Sequence, residues 1–311
     1  ITEPTLLSLS TSQVDVLCNG ATTGSGTVTV SGGVAPYTYL WDDALGQTTA
    51  TASNLQVGTY SLTVTDANGC SKVTSVTITE PIKVIVIANP NTEVLCSGDS
   101  TNINLSSTTP GTTYSWTVVQ NRVSGAVAGS GNTISQMLTA TTSQIGTVTY
   151  IITPTANGCV GESIEVVVTV NPIPVVVATP NTEVLCSGST TNLVLSSETL
   201  NTTYSWTVVQ NGVSGAVAGS GSTISQTLTA TTAQIGTVTY IITPTANSCV
   251  GEPIEVVVTV NPIPVVVATP ASETFCSGST TNLVLSSETL NTTYSWTVVQ
   301  NGVSGAVAGS G

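Results

Sequence analysis

The sequence lacks histidine altogether, and it contains only three basic residues against sixteen acidic ones in a chain of 311. Histidine and basic side chains are the usual sources of the bases and charge clamps that enzymes need, so these absences argue against catalysis. The net charge of −13 leaves no basic patch to neutralise phosphates, which excludes nucleic-acid binding. It also opposes binding to anionic membranes, and we predict no direct membrane insertion of this part of the chain.

Methionine and phenylalanine occur once each, and charged residues make up only 6% of the chain. The mean hydropathy is nevertheless +0.35, which excludes the low hydrophobicity and high charge of disordered chains. Threonine and valine are abundant instead, and β-branched side chains suit the pleated faces of strands. Composition therefore favours an all-β protein.

Few carboxylate pairs could serve as a catalytic or metal site. Asp42 and Asp43 are adjacent, and Glu162 and Glu165 lie three apart, so on a strand the members of each pair face opposite sides. Without histidine or a Cys-x-x-Cys motif, zinc and thioredoxin-type chemistry are excluded. We predict no catalytic residue, no cofactor and no metal, and we interpret the protein as not an enzyme.

One segment of the sequence recurs almost letter for letter. Cys96–Asn181 returns about ninety residues later and then begins a third time, and Ser187–Gly221 is identical to Ser277–Gly311. A fixed period of this length predicts an array of like modules. About ninety residues also suffice to close an independent sandwich core.

The repeats divide the chain into segments that we call modules. Residues 1–4 match Ile78–Pro81, the close of the first module, so we expect them to be the tail of a preceding module. The others are the first module (5–81), the second (82–172), the third (173–262) and the first half of a fourth (263–311). We therefore expect the 311 residues to be part of a longer polypeptide.

The third module illustrates the strand pattern. Apolar residues alternate with polar ones in short runs separated by turn residues, and no helical periodicity occurs. The predicted strands are Val175–Ala178, Asn192–Ser196, Thr203–Gln210, Thr223–Thr229, Thr237–Thr243 and Glu255–Val260. This pattern predicts a tandem array of immunoglobulin-like antiparallel β-sandwiches. The predicted core aromatics are Trp41, Trp116, Trp206, Trp296 and Tyr60.

Residues 16–70 of the first module include a predicted Gly58–Asp66 strand that is entered by a tyrosine, as in a tyrosine corner. Over these residues the first module resembles the SprB repeat of gliding and surface adhesins in the Bacteroidetes. The later modules, with Cys-Ser-Gly, Tyr-Ser-Trp and Thr-Tyr-Ile-Ile-Thr-Pro-Thr-Ala-Asn-Gly-Cys, resemble the PKD-like repeats of the same surface proteins. The resemblance implies a large filamentous cell-surface protein exported by the type IX secretion system.

Six of the seven cysteines occur two per complete module and Cys276 is single, a pattern typical of disulfides in an extracellular protein. Within-module pairing would join Cys96 to Cys159 and Cys186 to Cys249. An immunoglobulin-like topology places those partners at opposite ends of a sandwich, roughly 25–30 Å apart, whereas a disulfide needs Cα atoms about 5.5 Å apart. We therefore favour bonds between modules. These would join Cys18 to Cys159 and Cys96 to Cys249, and Cys70, Cys186 and Cys276 would have partners outside this sequence.

Proline-rich linkers join the modules. Val170–Pro174 and Val260–Pro264 share the sequence Val-Asn-Pro-Ile-Pro, in which each proline fixes φ and favours an extended preceding residue. They offer too few oxygens to bind calcium. We interpret Asp66–Gly69 as a type I′-like hairpin turn, and Ser100, in Asp-Ser-Thr, as a candidate O-glycosylation site.

These features favour a structural stalk in a large cell-surface adhesin, for gliding motility or surface attachment. One alternative is that the repeats themselves bind polysaccharide or another cell surface. Another is a spacer attached to a secreted enzyme. The expected partners are further modules of the same chain, with surface polysaccharide and the gliding or secretion machinery as further candidates. The expected location is the cell surface, either outer-membrane-attached or secreted.

Overall fold

The computed structural model describes residues 5–311, and it confirms the all-β prediction: these residues form strands, turns and loops. No helix in the described chain is long and apolar enough to cross a membrane. The expected tail of a preceding module, residues 1–4, lies outside the described residues. The chain divides into two compact units. One contains the segment up to Leu95, Asp99–Leu138 and Thr147–Thr169, and the other contains Cys96–Gly98, Thr139–Gly146 and Val170–Gly311.

The first module has two three-stranded sheets, ordered β1-β2-β4 and β3-β5-β6. Trp41 lies in the core between them, 1% exposed, and its indole N–H donates to the carbonyl oxygen of Thr49 at 2.9 Å. Tyr60 is half-buried against the same core, and its hydroxyl donates to Gln56 O, four residues upstream, at 3.3 Å. The strands are β1 Ser8–Val14, β2 Gly24–Ser31, β3 Thr38–Trp41, β4 Thr51–Leu55, β5 Gly58–Thr65 and β6 Ser71–Ile78.

The second module is built around a sheet ordered β12-β10-β15-β17-β8, with β13-β9-β7 as a second sheet. Its long central strand, β15, alternates strictly between buried and half-buried residues, as a strand does when one face covers a core. The strands are β7 Ile87–Asn89, β8 Thr92–Cys96, β9 Ile103–Ser106, β10 Thr113–Asn121, β11 Val123–Ser124, β12 Gly129–Ser130, β13 Thr133–Ile134, β14 Thr139–Ala140, β15 Gly146–Ala156, β16 Cys159–Val160 and β17 Ile164–Asn171.

The third module repeats this arrangement with sheets β18-β21-β25, β19-β29-β27-β22-β24 and β20-β26-β23. Trp206, 7% exposed, lies in its core and donates from Nε1 to Val217 O at 3.1 Å. The strands are β18 Val177–Thr179, β19 Thr182–Cys186, β20 Ser189–Thr190, β21 Leu193–Ser196, β22 Thr203–Asn211, β23 Val213–Ser214, β24 Gly219–Ser220, β25 Thr223–Ile224, β26 Thr227–Ala230, β27 Gly236–Ala246, β28 Cys249–Val250 and β29 Ile254–Asn261.

Two strand predictions for the third module were wrong. The chain forms a second strand, β19, after Pro180, and β19 pairs in parallel with the last strand, bringing Cys186 opposite Asn261. The predicted Thr223–Thr229 strand is two strands in different sheets, because Ser225 and Gln226 carry the chain from one sheet to the other.

The fourth module consists of two short pairs, β30 (Val267–Thr269) with β31 (Val284–Ser286) and β32 (Ser295–Trp296) with β33 (Gly309–Ser310). Trp296 is 43% exposed, whereas Trp116 and Trp206 are each 7% exposed. The prediction of Trp296 as a core aromatic was therefore wrong for this chain. Trp116 and Trp206 pair with Ile152 and Ile242 on the long strands β15 and β27, and residues 263–311 contain no such strand.

Candidate functional site at the disulfide-linked junctions

A tight hairpin presents the second cysteine of the second and third modules. Asn157 and Gly158 have φ of 51° and 79°, and Asn247 and Ser248 have φ of 48° and 68°. Two consecutive residues at positive φ are the mark of a type I′ turn, which matches the twist of the flanking strands. The turn places Cys159 opposite Ala156 and Cys249 opposite Ala246. Both cysteines are almost fully buried, at 6% and 1% exposure.

The first module does not use this turn, so the type I′ prediction at Asp66–Gly69 was wrong. In that segment only Gly69 has positive φ, at 83°. The Asp66 carboxylate accepts hydrogen bonds from the amides of Val34, Asn68 and Cys70 at 2.9–3.0 Å, which closes a longer loop. These bonds, chiefly from Val34 and Cys70, hold the pKa of Asp66 below its ordinary value.

The first cysteine of the first module lies in a loop that is fixed to the end of its own module. This loop forms hydrogen bonds with the last residues of the module, Thr79–Pro81. Thr79 N–H donates to Asp15 Oδ1 at 2.7 Å, Gly20 N–H donates to Glu80 Oε2 at 2.8 Å, and Asn19 Nδ2 donates to Pro81 O at 3.2 Å. Cys18 is therefore held at the carboxyl-terminal end of its module.

A disulfide joins Cys18 to Cys159, in the hairpin of the second module. Their Cα atoms are 5.5 Å apart and 141 residues apart in sequence. The hairpin residues Ala156 and Cys159 pack against Val84 of the linker segment, with Cys18 at the edge of this cluster. The bond thus joins the carboxyl-terminal end of the first sandwich to the end of the second sandwich that lies next to the linker.

The second junction repeats the design. Cys96 ends β8, and the next residue, Ser97, is fixed by donating its N–H to Asn171 O at 2.8 Å and accepting from Ala140 N–H at 3.0 Å. A disulfide joins Cys96 to Cys249, whose Cα atoms are 5.7 Å apart and which are 153 residues apart in sequence. The structure therefore brings together the two pairs that an immunoglobulin-like topology favours, and it leaves Cys96 and Cys159 unlinked to each other.

The linker at the second junction is covered by the cysteine hairpin. Asn171 is 5% exposed, and its Nδ2 donates to Asn247 O at 3.4 Å. Pro172 and Pro174 are also buried. A Cβ added to Gly251, just after the hairpin cysteine, would overlap the carbonyl oxygen of Pro174. Only glycine allows this close approach, and Gly161 stands in the same relation to Val84 at the first junction.

The remaining predicted site residues lie apart from the two bonds. Cys70, Cys186 and Cys276 are free and exposed. Ser100 is exposed and forms an isolated antiparallel β-bridge with Met137, and its O-glycosylation stays a prediction.

The acidic residues form ordinary surface contacts. Glu162 pairs with Lys83 at 2.9 Å, and the hydrogen bond and charge of Lys83 lower the pKa of Glu162. Asp42 accepts from the amide of Ser61 at 2.7 Å. Within residues 5–311, no group of three or more acidic or cysteine side chains could hold a metal ion.

Sequence reasoning missed two parts of the junction. One is the parallel strand β19, Thr182–Cys186, which begins two residues after Pro180 and is too short for its periodicity to assign it to a sheet. The fit of Gly251 against Pro174 gave no sequence signal beyond an unremarkable glycine, since close backbone approach depends on the folded arrangement of the linker.

Family models match most of the repeated sequence. A PKD-like domain model matches residues 93–174 and again 183–264, and an SprB repeat model matches residues 10–46. The two PKD-like matches together cover just over half of the chain. No curated protein matches the sequence.

Solved structures of other multi-domain chains are similar at low identity. Three N-terminal domains of the bacteriophage RB49 highly immunogenic outer capsid protein share 15% identity, with a TM-score of 0.36, 84% of this chain covered and 100% of that one. Mouse cadherin-23 EC22-24 shares 12% identity, with a TM-score of 0.34, 82% of this chain covered and 98% of that one. Titin A168-A170 shares 10% identity, with a TM-score of 0.32, 84% of this chain covered and 98% of that one. By the PKD-like model that covers more than half of its residues, and with an SprB repeat ahead of the two matched domains, the chain belongs to the PKD-like domain family.

Proposed function

We propose that the chain is a load-bearing stalk segment of a large extracellular adhesin, with each module locked to the next by a disulfide. The observation that carries this proposal is the pairing of the cysteines. Each bond joins the end of one module to the start of the next, and neither bond lies within a module. A disulfide inside a module would stabilise that module alone, whereas a bond across the linker protects the connection itself.

The pairing determines which part of the polypeptide carries force. The Cys18–Cys159 bond holds 141 residues out of the load path, roughly 490 Å of extended chain at about 3.5 Å per residue. If the same pairing continues along a longer array, Cys186 makes a bond to a later module. The segment from Cys159 to Cys186 is then the only polypeptide that directly connects this bond to Cys18–Cys159. It can extend to roughly 90 Å while passing from one module through the next. Such an array would lengthen little under tension.

The surface composition also suits a stalk. Trp41, Trp116 and Trp206 are buried in the cores of the three complete modules, so their rings are not available for stacking against sugars. Threonine and serine hydroxyls pair across the outer faces of the sheets, as between Thr27 and Thr51 at 3.0 Å, and they help to hydrate a surface on which only 6% of the chain's residues are charged. Attachment during gliding, and export by the type IX system, are the setting that the SprB repeat suggests for such a stalk.

Single-molecule force spectroscopy tests the load-path proposal. The chain is tethered through its two ends and stretched to full unfolding, first oxidised and then with a reductant. We expect the oxidised chain to reach a contour length shorter by at least roughly 490 Å, and the Cys18→Ser/Cys96→Ser variant to behave as the reduced chain does. Equal contour lengths in the two states would contradict the proposal. Retention of the oxidised chain on purified surface polysaccharide would favour the alternative in which the repeats bind glycans.

A further inference from the structure

We propose that the surface around Cys186 is a docking surface for the cysteine hairpin of a further PKD-like module. A disulfide between Cys186 and the hairpin cysteine would close this contact. The inference rests on the proposed stalk function and names the segment that continues it. Two segments of identical sequence differ in the structure: Cys96 is bonded to a hairpin cysteine, whereas Cys186 is free and exposed.

Cys186 is held in the same frame as Cys96. Glu93–Gly98 and Glu183–Gly188 have identical sequences. Ser187 N–H donates to Asn261 O at 2.8 Å, and Ser187 Oγ accepts from Ala230 N–H at 3.0 Å. Ser97 makes the equivalent two bonds at the same distances. The loop that presents Cys96 to Cys249 is therefore already formed around Cys186.

The linker next to Cys186 is uncovered. Asn171 and Pro174 are buried at the closed junction, whereas Asn261 is half-buried and Pro264 exposed. The exposed fraction of the linker isoleucine rises from 36% at Ile173 to 63% at Ile263. The two linkers have the same five residues, so sequence does not account for the difference. An Ala-Asn-x-Cys hairpin covers the linker Val170–Pro174, and residues 263–311 contain no such hairpin.

The partner is defined by the shape of the hairpin that fits. It needs a type I′ turn that places a small residue opposite the cysteine, as Ala246 lies opposite Cys249. It also needs a glycine two residues after the cysteine, because Gly251 lies against the linker backbone. The hairpin at Cys70 meets neither condition: its turn is longer, and Lys72 stands in the glycine position. The occupant is therefore a PKD-like hairpin.

Bond formation is an ordinary oxidation of two thiols. Cys186 and the hairpin cysteine each lose one proton and one electron to form the S–S bond. A small-molecule disulfide, such as oxidised glutathione, accepts the two electrons and two protons and leaves as two thiols.

The repeat itself supplies the test. Because Ser187–Gly221 equals Ser277–Gly311, a copy of residues 222–262 added after Gly311 rebuilds a complete fourth module with a hairpin cysteine. The extended chain is folded in a glutathione redox buffer and mapped by non-reducing proteolysis. We expect the added cysteine to be bonded to Cys186, and the exposure of Trp296 to fall from 43% towards the 7% of Trp206. A bond from the added cysteine to Cys276, or a free added cysteine in a chain with a buried Trp296, would overturn the inference.

The matched control carries serine in place of the added cysteine, and Cys186 should then be recovered as a free thiol when the control is alkylated after denaturation. The same digest reports the Cys96–Cys249 bond, so a failed docking surface can be told apart from a failed stalk proposal.

A second measurement does not depend on folding of the added segment. A peptide with the sequence of Ile242–Ile254, activated as a mixed disulfide, is reacted with the unextended chain. We expect at least a tenfold faster reaction at Cys186 than at Cys276, and equal rates at the two exposed thiols would contradict docking.

Discussion

Asn171 donates a hydrogen bond from its side chain to the carbonyl oxygen of Asn247, 3.4 Å away, and so ties the linker to the turn of the cysteine hairpin. The same linker sequence lacks this partner at Asn261. We expect Asn171→Ala to lower the free energy of unfolding by about 1 kcal/mol, because a buried hydrogen bond is lost. Asn261→Ala, in identical local sequence, should cost clearly less. Urea unfolding of both variants measures the difference, and equal losses would mean that the hairpin contact contributes nothing.

Removal of the second disulfide should destabilise the oxidised chain strongly. The chain-entropy relation gives about 5 kcal/mol for a loop of 153 residues, so Cys249→Ser should lower the denaturation midpoint markedly. Cys186→Ser is the matched control, since Cys186 is exposed and unbonded. The two midpoints are compared with and without a reductant. A Cys249→Ser midpoint equal to that of the oxidised parent would show that the bond does not stabilise the fold.

The fold is predictable from the sequence where period-two alternation and β-branched residues point to the same structure. The run Thr237–Thr243 is recognisable as a strand because no other signal competes there, and the structure extends it to Gly236–Ala246. The parallel strand β19 is harder to predict, because five residues carry too little periodicity to assign them to a sheet. Trp296 shows the other limit: burial depends on a neighbouring strand, and the same local sequence is buried at Trp206 and exposed at Trp296.

The junction is predictable in part. Topology alone separates Cys96 from Cys159, because a sandwich has two ends. The choice of turn is decided by side chains: the Asp66 carboxylate takes the amides that a two-residue turn would leave to the strands. The pairs Asn68-Gly69 and Asn157-Gly158 both follow an alanine and precede a cysteine, yet they fold differently, because only the first lies in a loop that Asp66 closes.

The paired tryptophans offer a test of core packing in identical sequence contexts. Trp206→Ala should cost about 3–5 kcal/mol, because it removes a large buried ring and leaves a cavity. Trp296→Ala should cost less than half of that, since Trp296 is 43% exposed. Circular dichroism during urea unfolding measures both. Equal losses would mean that the fourth module is packed as tightly as the third.

Asp66 gives the first module a pH-dependent stability. Its pKa is lower in the folded protein than its ordinary value of 3.8, owing chiefly to hydrogen bonds from the backbone of Val34 and Cys70. The stabilisation is therefore complete above pH 3.8 and is lost as the pH falls through the folded pKa. At about pH 6 we expect Asp66→Asn to raise the amide exchange rates of Val34 and Cys70. The difference in rate between variant and parent should shrink as the pH falls below 3.8. A difference that is independent of pH would contradict this account.

The pairing of cysteines between modules is the central claim, and non-reducing peptide mapping tests it most directly. Cleavage at the acidic residues places each of the seven cysteines on its own peptide. The oxidised chain should yield a peptide pair that links Cys18 to Cys159 and another that links Cys96 to Cys249. Pairs that link Cys96 to Cys159 or Cys186 to Cys249 would contradict the account, because each module would then be closed on itself and the linkers would be left to bear the load alone.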